Sequence, residues 1–266
     1  MDCFCGIDIG ASAAKLVILD ETGGVVAKAI RRSGVNYAAT ADACLAEAME
    51  KAKLGRSAVR ASMATGYGRD NVPWAGGTRS EIACHGRGAY FHFRKAITVI
   101  DIGAQDNKVI HLDDAGRCMR FKMNRKCAAG TGSFLEEIAY RLDLPLADLN
   151  GLAARADREV ALGSFCTVFA ATEVLSRIRA GEPVEAIVRG AFRSVAKRVL
   201  EMDAVDGSLV LTGGVVGHNP FLAEMIGQTL GTAANVPPDA QFVGAFGAAL
   251  LARKTAGTPR EANEGA

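Results

Sequence analysis

Two aspartates, two lysines and two cysteines carry most of the chemistry this sequence can support. Asp8 ends an apolar run and is followed by Gly10, Ser12 and Lys15; Asp101 ends another and is followed by Gly103, Gln105 and Lys108. A carboxylate at a strand end can hold a hydrated magnesium ion, and a glycine turn beside it can offer backbone N–H groups to a polyphosphate. A single Asp-x-Gly is a weak signal, because such strand ends are common. Here it occurs twice. With Ile7-Asp8-Ile9-Gly10-Ala11 set on Ile100-Asp101-Ile102-Gly103-Ala104, nine of the seventeen positions from 7 to 23 are identical to their partners. Lys15 falls on Lys108, Asp20 on Asp113 and Gly23 on Gly116. A period of roughly ninety residues is too long for a solenoid unit and suits two related halves.

Cys127 is followed by Gly130-Thr131-Gly132 and a helical pattern over 128–142, and Cys166 directly precedes a helical pattern over 167–180. Each thiol is expected just ahead of a helix N-terminus, whose partial positive charge favours the thiolate that binds iron; Arg125 and Lys126 push the same way. Their separation of thirty-nine residues is not a ferredoxin spacing, so the residues alone favour two unrelated loop thiols. Two thiols per chain would leave a cubane cluster half-ligated, a count that a twofold dimer would complete. Farther on, Gly213 and Gly214 at a strand end let the backbone approach a ligand closely, such as a nucleotide base or ribose.

The elements that must position these residues follow from hydrophobic period and turn chemistry. Strands are expected over 3–10, 15–19 and 25–30, and again over 97–102, 108–112 and 118–123, with further strands over 59–65 and 208–211. Helices are expected over 37–53, 81–90, 145–154, 183–202, 219–230 and 243–254, and an extended piece over 160–164 delivers Cys166. Arg189, Arg193, Lys197 and Arg198 give the 183–202 helix a basic face, read as solvated surface. Cys3, Cys5, Cys44 and Cys84 read as packing. Cys3 and Cys5 share one face of a strand, and Cys84 and its neighbour His85 point about 100° apart on a helix, against a shared metal.

Composition narrows the field. The 266 residues are 49% hydrophobic and 23% charged, with a net charge of +2. Basic residues are scattered among acidic ones, which argues against nucleic acid as a partner. No apolar run is long enough to span a bilayer, and the N-terminus lacks the basic region of a signal peptide. Seven cysteines in no disulfide-scaffold spacing suit reduced thiols or metal ligands in the cytoplasm.

The paired Asp-Ile-Gly strand ends, the Thr-Gly-Gly at 212–214 and the glycine-spaced final helix resemble the actin, sugar-kinase and heat-shock-protein ATPase superfamily. More narrowly, Ala64-Thr-Gly-Tyr-Gly-Arg69, Ile100-Asp-Ile-Gly-Ala-Gln-Asp106, Lys126-Cys-Ala-Ala-Gly-Thr-Gly132, Phe165-Cys-Thr-Val-Phe169 and Leu211-Thr-Gly-Gly-Val215 resemble the activator of 2-hydroxyacyl-CoA dehydratase and the ATPase subunits of benzoyl-CoA reductase. The similarity runs in order to about Arg253, and the two cysteine motifs are specific to that group. One position departs: Ala104 stands where that family commonly has a second glycine. The modest length argues against the larger reductase subunits.

The resemblance implies an α/β fold of two actin-like (ribonuclease H-like) lobes with an ATP cleft between them. The first lobe would span 1–95, completed by a C-terminal helix over 243–255, and the second 96–242, with a flexible tail over 256–266. It implies ATP or ADP bound through Asp8, Gly10, Ser12, Lys15, Gly103, Gly130, Thr131, Gly132, Gly213 and Gly214. Magnesium would sit on Asp8 and Asp101 through water, and Asp101 or Gln105 would orient the attacking water. Cys127 and Cys166 of each protomer would hold one 4Fe-4S cluster per dimer, reversing the reading from spacing alone. The chain would then hydrolyse ATP to pass a low-potential electron, received from ferredoxin or flavodoxin, to an iron–sulfur dehydratase or reductase acting on a CoA thioester. A homodimer or paralogous heterodimer would form through the cluster. The alternative is a small-molecule kinase of the amino-sugar type, with Asp101 as base and no need of either cysteine.

Overall fold

The computed structural model describes residues 2–124, 127–163 and 167–257. The chain divides into two compact units, Met1–Gly88 with Phe242–Ala266, and Ala89–Gln241.

In the first unit, β1 (Cys3–Ile9), β2 (Ala13–Leu19) and β3 (Val25–Arg32) form an antiparallel meander. Helix α1 (Tyr37–Ala52) then leads to β4 (Val59–Thr65), which returns parallel to β1, giving the sheet order β3-β2-β1-β4. β1 is buried along its whole length, so its apolar run carries no alternation, as expected of a strand covered on both faces. Cys3, Cys5, Ile7 and Ile9 enter the cluster that includes Cys44 and Leu45 of α1. The even positions face the other way. Phe4 packs with Cys84 of α2 (Glu81–Phe93) and with Ala248 and Ala252 of α9 (Val243–Gly257), the last helix of the chain. Gly6 lies so close to α9 that a Cβ there would sit 2.1 Å from the Ala245 carbonyl oxygen. Asn36 caps α1 by accepting the Ala39 N–H, and Lys53 closes the helix in the left-handed conformation.

The second unit repeats the pattern. β5 (Ile97–Ile102), β6 (Asn107–Leu112) and β7 (Cys118–Asn124) form the meander. Beyond them lie α3 (Gly132–Arg141), α4 (Leu149–Arg155), α5 (Thr167–Arg179) and α6 (Val184–Leu200). β8 (Ser208–Thr212) returns parallel to β5, followed by α7 (Gly214–His218), α8 (Pro220–Leu230) and the short β9 (Ala234–Asn235), for a sheet order β7-β6-β5-β8-β9. Ile100, Ile102, Leu209 and Leu211 pack with Phe134 and Phe192 in its core. The repeat seen in the residues is therefore a repeat of topology and register: Asp8 pairs with Lys15 across β1 and β2, and Asp101 with Lys108 across β5 and β6. Even the hairpin turns match, with Asp20 accepting the N–H groups of Thr22 and Gly24 and Asp113 those of Ala115 and Arg117.

Three expectations need correction. The helix expected from residue 128 begins at Gly132, because the backbone turns at Gly130, whose φ is +77°, before a helix can propagate. The stretch 160–163 forms no strand; it is tied to α6 by the Val160 N–H donating to the Ala186 carbonyl. The final helix continues to Gly257, two residues into the stretch expected to be a flexible tail. The basic face of α6 is largely spoken for: Arg189 donates to the Ala156 carbonyl and stacks on Phe221, and Arg193 meets Glu159 and Thr229.

Candidate functional site

In the first unit Asp8 is buried at the end of β1, with the Lys15 ammonium 3.3 Å from its carboxylate. The Gly10 N–H donates to the Ala13 carbonyl at 3.1 Å and closes a hairpin loop whose exposed tip is Ala11 and Ser12. In the second unit Asp101 is buried, with the Lys108 ammonium at 3.2 Å; Lys108 also reaches Asp106 at 2.9 Å. The Gly103 N–H donates to the Asp106 carbonyl at 3.0 Å, and the tip is Ala104 and Gln105. Ser12 and Gln105 thus occupy one repeat position. The lysines explain how carboxylates persist in the interior: a buried anion needs a cation or donors close by.

Beside each aspartate runs the end of the parallel strand. Asp8 pairs with Thr65 and Asp101 with Thr212, and the Thr212 hydroxyl donates to Asp101 at 3.4 Å. The following glycines have φ of +91° at Gly66 and +98° at Gly213. A Cβ would lie 2.4 Å from the Asp8 carboxylate in one unit and 2.7 Å from the Asp101 carboxylate in the other. Both positions need glycine for the left-handed backbone and for the closeness to the acid. Both Thr-Gly pairs stand out in the sequence, but their equivalence does not, because the inserted helices of the second unit place them at different distances from their aspartates.

Gly214 opens α7, where a Cβ would lie 3.3 Å from the Gln241 side-chain nitrogen. His85 is buried. A Cβ on Gly244 would meet its Nε2 at 2.8 Å and an Asp8 carboxylate oxygen at 3.2 Å, so the α2 histidine and the first turn of α9 both adjoin Asp8. Burial pushes the Cys84 thiol up to about 12 and the Cys44 thiol up to about 11, and raises Cys5 as well. These thiols stay neutral and inert.

Cys127 differs from them. It is exposed, and its sulfur accepts the Ala129 N–H at 3.4 Å. It does not sit at the start of α3; the turn 128–131 intervenes, with the Thr131 hydroxyl donating to the Ala128 carbonyl at 2.6 Å. Gly130, Thr131 and Gly132 are buried, and the Gly132 N–H donates to the Gly103 carbonyl at 2.9 Å. The structure therefore joins the Cys127 loop to the Asp101 hairpin. Cys166 lies outside the described residues. Among those residues no group of three or more His, Cys, Asp or Glu side chains could hold a metal, and no helix is long and apolar enough to cross a membrane.

A duplicated α/β unit with a buried strand-end aspartate, a cross-strand lysine and a Thr-Gly turn in each copy defines two actin-like units. A family model for the BadF/BadG/BcrA/BcrD ATPase family matches residues 5–252, and the chain belongs to that family. The (R)-2-hydroxyglutaryl-CoA dehydratase activating ATPase of Acidaminococcus fermentans is 40% identical over 255 residues, covering 94% of this chain and 97% of that one. A benzoyl-CoA reductase subunit from Thauera aromatica is 31% identical, covering 94% and 93%. The solved activator of 2-hydroxyisocaproyl-CoA dehydratase from Clostridium difficile, with bound ADPNP, superposes with a TM-score of 0.90 at 37% identity, over 96% of this chain and 95% of that one. A ROK family glucokinase from Streptomyces griseus shares the fold alone, with a TM-score of 0.58 at 14% identity over 95% of this chain and 98% of that one.

Proposed function

We propose that this chain is the ATP-hydrolysing activator of a CoA-thioester dehydratase, passing an electron to that enzyme from an iron–sulfur cluster shared between two protomers. The observation that carries the reading is the exposed Cys127 thiol on a loop bonded to the Asp101 hairpin, in a chain more similar to a dehydratase activator than to a benzoyl-CoA reductase subunit.

The 10–13 and 103–106 hairpin tips are the phosphate-binding elements, with Ser12 and Gln105 as their exposed side chains. Asp8 and Asp101 fit magnesium through water: each is an oxygen donor of the kind a hard cation takes, yet each already faces an ammonium within 3.3 Å, which disfavours direct ligation. Gln105 orients the attacking water and Asp101 polarises it. Gly213 and Gly214 admit the nucleoside.

Cys127 fits an iron–sulfur cluster: its sulfur is exposed and takes a backbone N–H, the bond by which proteins tune cluster sulfurs. With Cys166 it supplies two thiolates, and a second protomer supplies the other two. A 4Fe-4S cluster held by these thiolates would supply a one-electron centre of low potential for an iron–sulfur partner. Tyr140 of α3 and Phe169, Leu175 and Ile178 of α5 are exposed on helices that pack against each other, apolar surface of the kind interfaces cover. Ferredoxin or flavodoxin re-reduces the protein.

The test is iron and acid-labile sulfide in anaerobically purified protein, beside Cys127→Ser and Cys166→Ser. The expected result is about two irons per chain, four shared by a dimer, lost in both variants. Protein that takes up no iron on anaerobic reconstitution overturns the electron-transfer reading and turns attention to phosphoryl acceptors.

A further inference from the structure

The two units differ where their meanders end. In the first, β3 stops at Arg32, and Ser33 immediately returns to the hairpin, donating its hydroxyl to the Gly10 carbonyl and its N–H to the Ser12 carbonyl. In the second, β7 stops at Asn124, and the chain reaches the equivalent hairpin only at Gly132 and Ser133. The chain between, which carries Cys127, is an insertion into the repeat. It is held at both ends. The Asn124 side chain donates to the Cys127 carbonyl at 3.0 Å, while Ser133 donates its N–H at 2.8 Å and its hydroxyl at 2.7 Å to the Ala104 carbonyl, at the tip of the phosphate hairpin.

A third tie holds its middle. Asn107, paired with Ile102 at the base of that hairpin, donates its side-chain N–H to the Gly130 carbonyl at 2.8 Å. Its repeat equivalent, Ala14, is plain core. Asn107 is 1% exposed, yet its Oδ1 accepts no hydrogen bond among the described residues. Leaving a buried carboxamide oxygen unpaired is unfavourable, so an apolar residue would serve packing better. A carboxamide with one bond made and one acceptor open can take a different N–H when the loop or the hairpin shifts.

We propose that Asn107 and Ser133 are positioning residues that carry the nucleotide state of the 103–106 hairpin to the Cys127 loop. The proposal rests on the reading of that hairpin as a phosphate site and of Cys127 as a cluster ligand. Ser133 reads the position of the tip through Ala104; Asn107 reads the base and sets Gly130, next to the residue whose amide bonds the Cys127 sulfur. A γ-phosphate that draws the tip would draw α3 by its first turn and re-aim the thiol.

The experiment is hydrogen–deuterium exchange on the full chain under anaerobic conditions, with and without ADPNP, following the peptide over 127–133. ADPNP should change its exchange at least about fivefold, the lower end of ordinary couplings between sites. In Asn107→Ala and Ser133→Ala the change should fall below about twofold while ADPNP affinity stays within about threefold, and Ser133→Thr, which keeps the hydroxyl, should restore it. A wild-type response in both alanine variants overturns the proposal, as does a wild-type chain that binds ADPNP without any response over 127–133. Iron content is measured on the same samples. Iron-free protein that still shows the exchange response sinks the cluster and leaves the coupling standing, whereas full iron with no response does the reverse.

Discussion

Asp101 and Lys108 face each other across adjacent strands with almost no solvent, at 3.2 Å. Removing one member of a buried pair leaves a charge without its partner and typically costs about 3–5 kcal/mol. Lys108 keeps Asp106 at 2.9 Å, so Asp101→Asn should cost less, about 2 kcal/mol in urea unfolding. Phosphate release from ATP should fall by about 100-fold or more if, as proposed, this carboxylate serves both magnesium and the attacking water. A variant that unfolds at the wild-type urea midpoint and still hydrolyses ATP would remove Asp101 from the site. The thiols supply a second residue-scale prediction. Because burial raises Cys44 and Cys84 to about 11 and 12 from 9.0, the native state favours their protonated forms. That stabilisation is present in full below pH 9.0 and is lost as pH rises from there toward those values. The loss reaches about 1.4 kcal/mol per pH unit for each thiol. Urea midpoints should therefore fall between about pH 9 and pH 11, and Cys44→Ala with Cys84→Ala should flatten the fall. In iron-free folded protein, iodoacetamide should label Cys118 and Cys127, the exposed thiols among the described residues, and reach Cys5, Cys44 and Cys84 only after denaturation.

At the level of elements, the site depends on a strand pair ending in the same shape twice. Asp-Ile-Gly ends β1 and β5; Thr-Gly ends β4 and β8. Gly213→Ala would put a Cβ 2.4 Å from the Ile102 carbonyl oxygen and 2.7 Å from the Asp101 carboxylate, at a φ of +98°. Strain at such a position costs about 1–3 kcal/mol before the clash is counted. Calorimetry of Gly213→Ala should show a lower melting temperature and loss of ADPNP binding, and Gly66→Ala should do the same through Asp8. If either alanine variant bound ADPNP normally, the Thr-Gly turn would be structural and the nucleotide would lie elsewhere.

At the level of the whole chain, the last helix belongs with the first strands. α9 packs on β1, β2 and β4, and Gly247 approaches α2 so closely that a Cβ would lie 1.8 Å from the Cys84 carbonyl oxygen. A stop after Gln241 would strip the even face of β1, exposing Phe4, Met63 and Cys84. Such a chain should be recovered insoluble, or with amides of β1 and β4 exchanging freely while those of β5 and β8 stay protected. Protected β1 amides in that truncation would show that the first unit folds without its final helix.

Much of this was legible from residues because strands and helices write themselves in local period. The runs at 59–65 and 97–102 became β4 and β5 with no shift of either end; β5 is buried at every position, which an almost unbroken apolar run announces, whereas β4 is buried only over its last three residues. The matched Asp-Ile-Gly and Lys positions announced a duplication, because two copies of one hairpin keep the residues that close it. Membership in an ATPase family followed from the same motifs. The tertiary structure alone decided the rest. Ala128 and Ala129 are good helix formers, yet α3 waits for Gly132 because the chain turns at Gly130 and only then meets Gly103 and Ala104 through the Gly132 and Ser133 N–H groups. His85 is buried beside Asp8 because α9, more than 150 residues later, closes over it. Asn107 looks like an ordinary polar residue at a strand start until Gly130 arrives at its side chain. Local pattern determines which element forms; which side chain meets which is settled only when distant segments come together, and here that meeting joins the cysteine loop to the Asp101 hairpin.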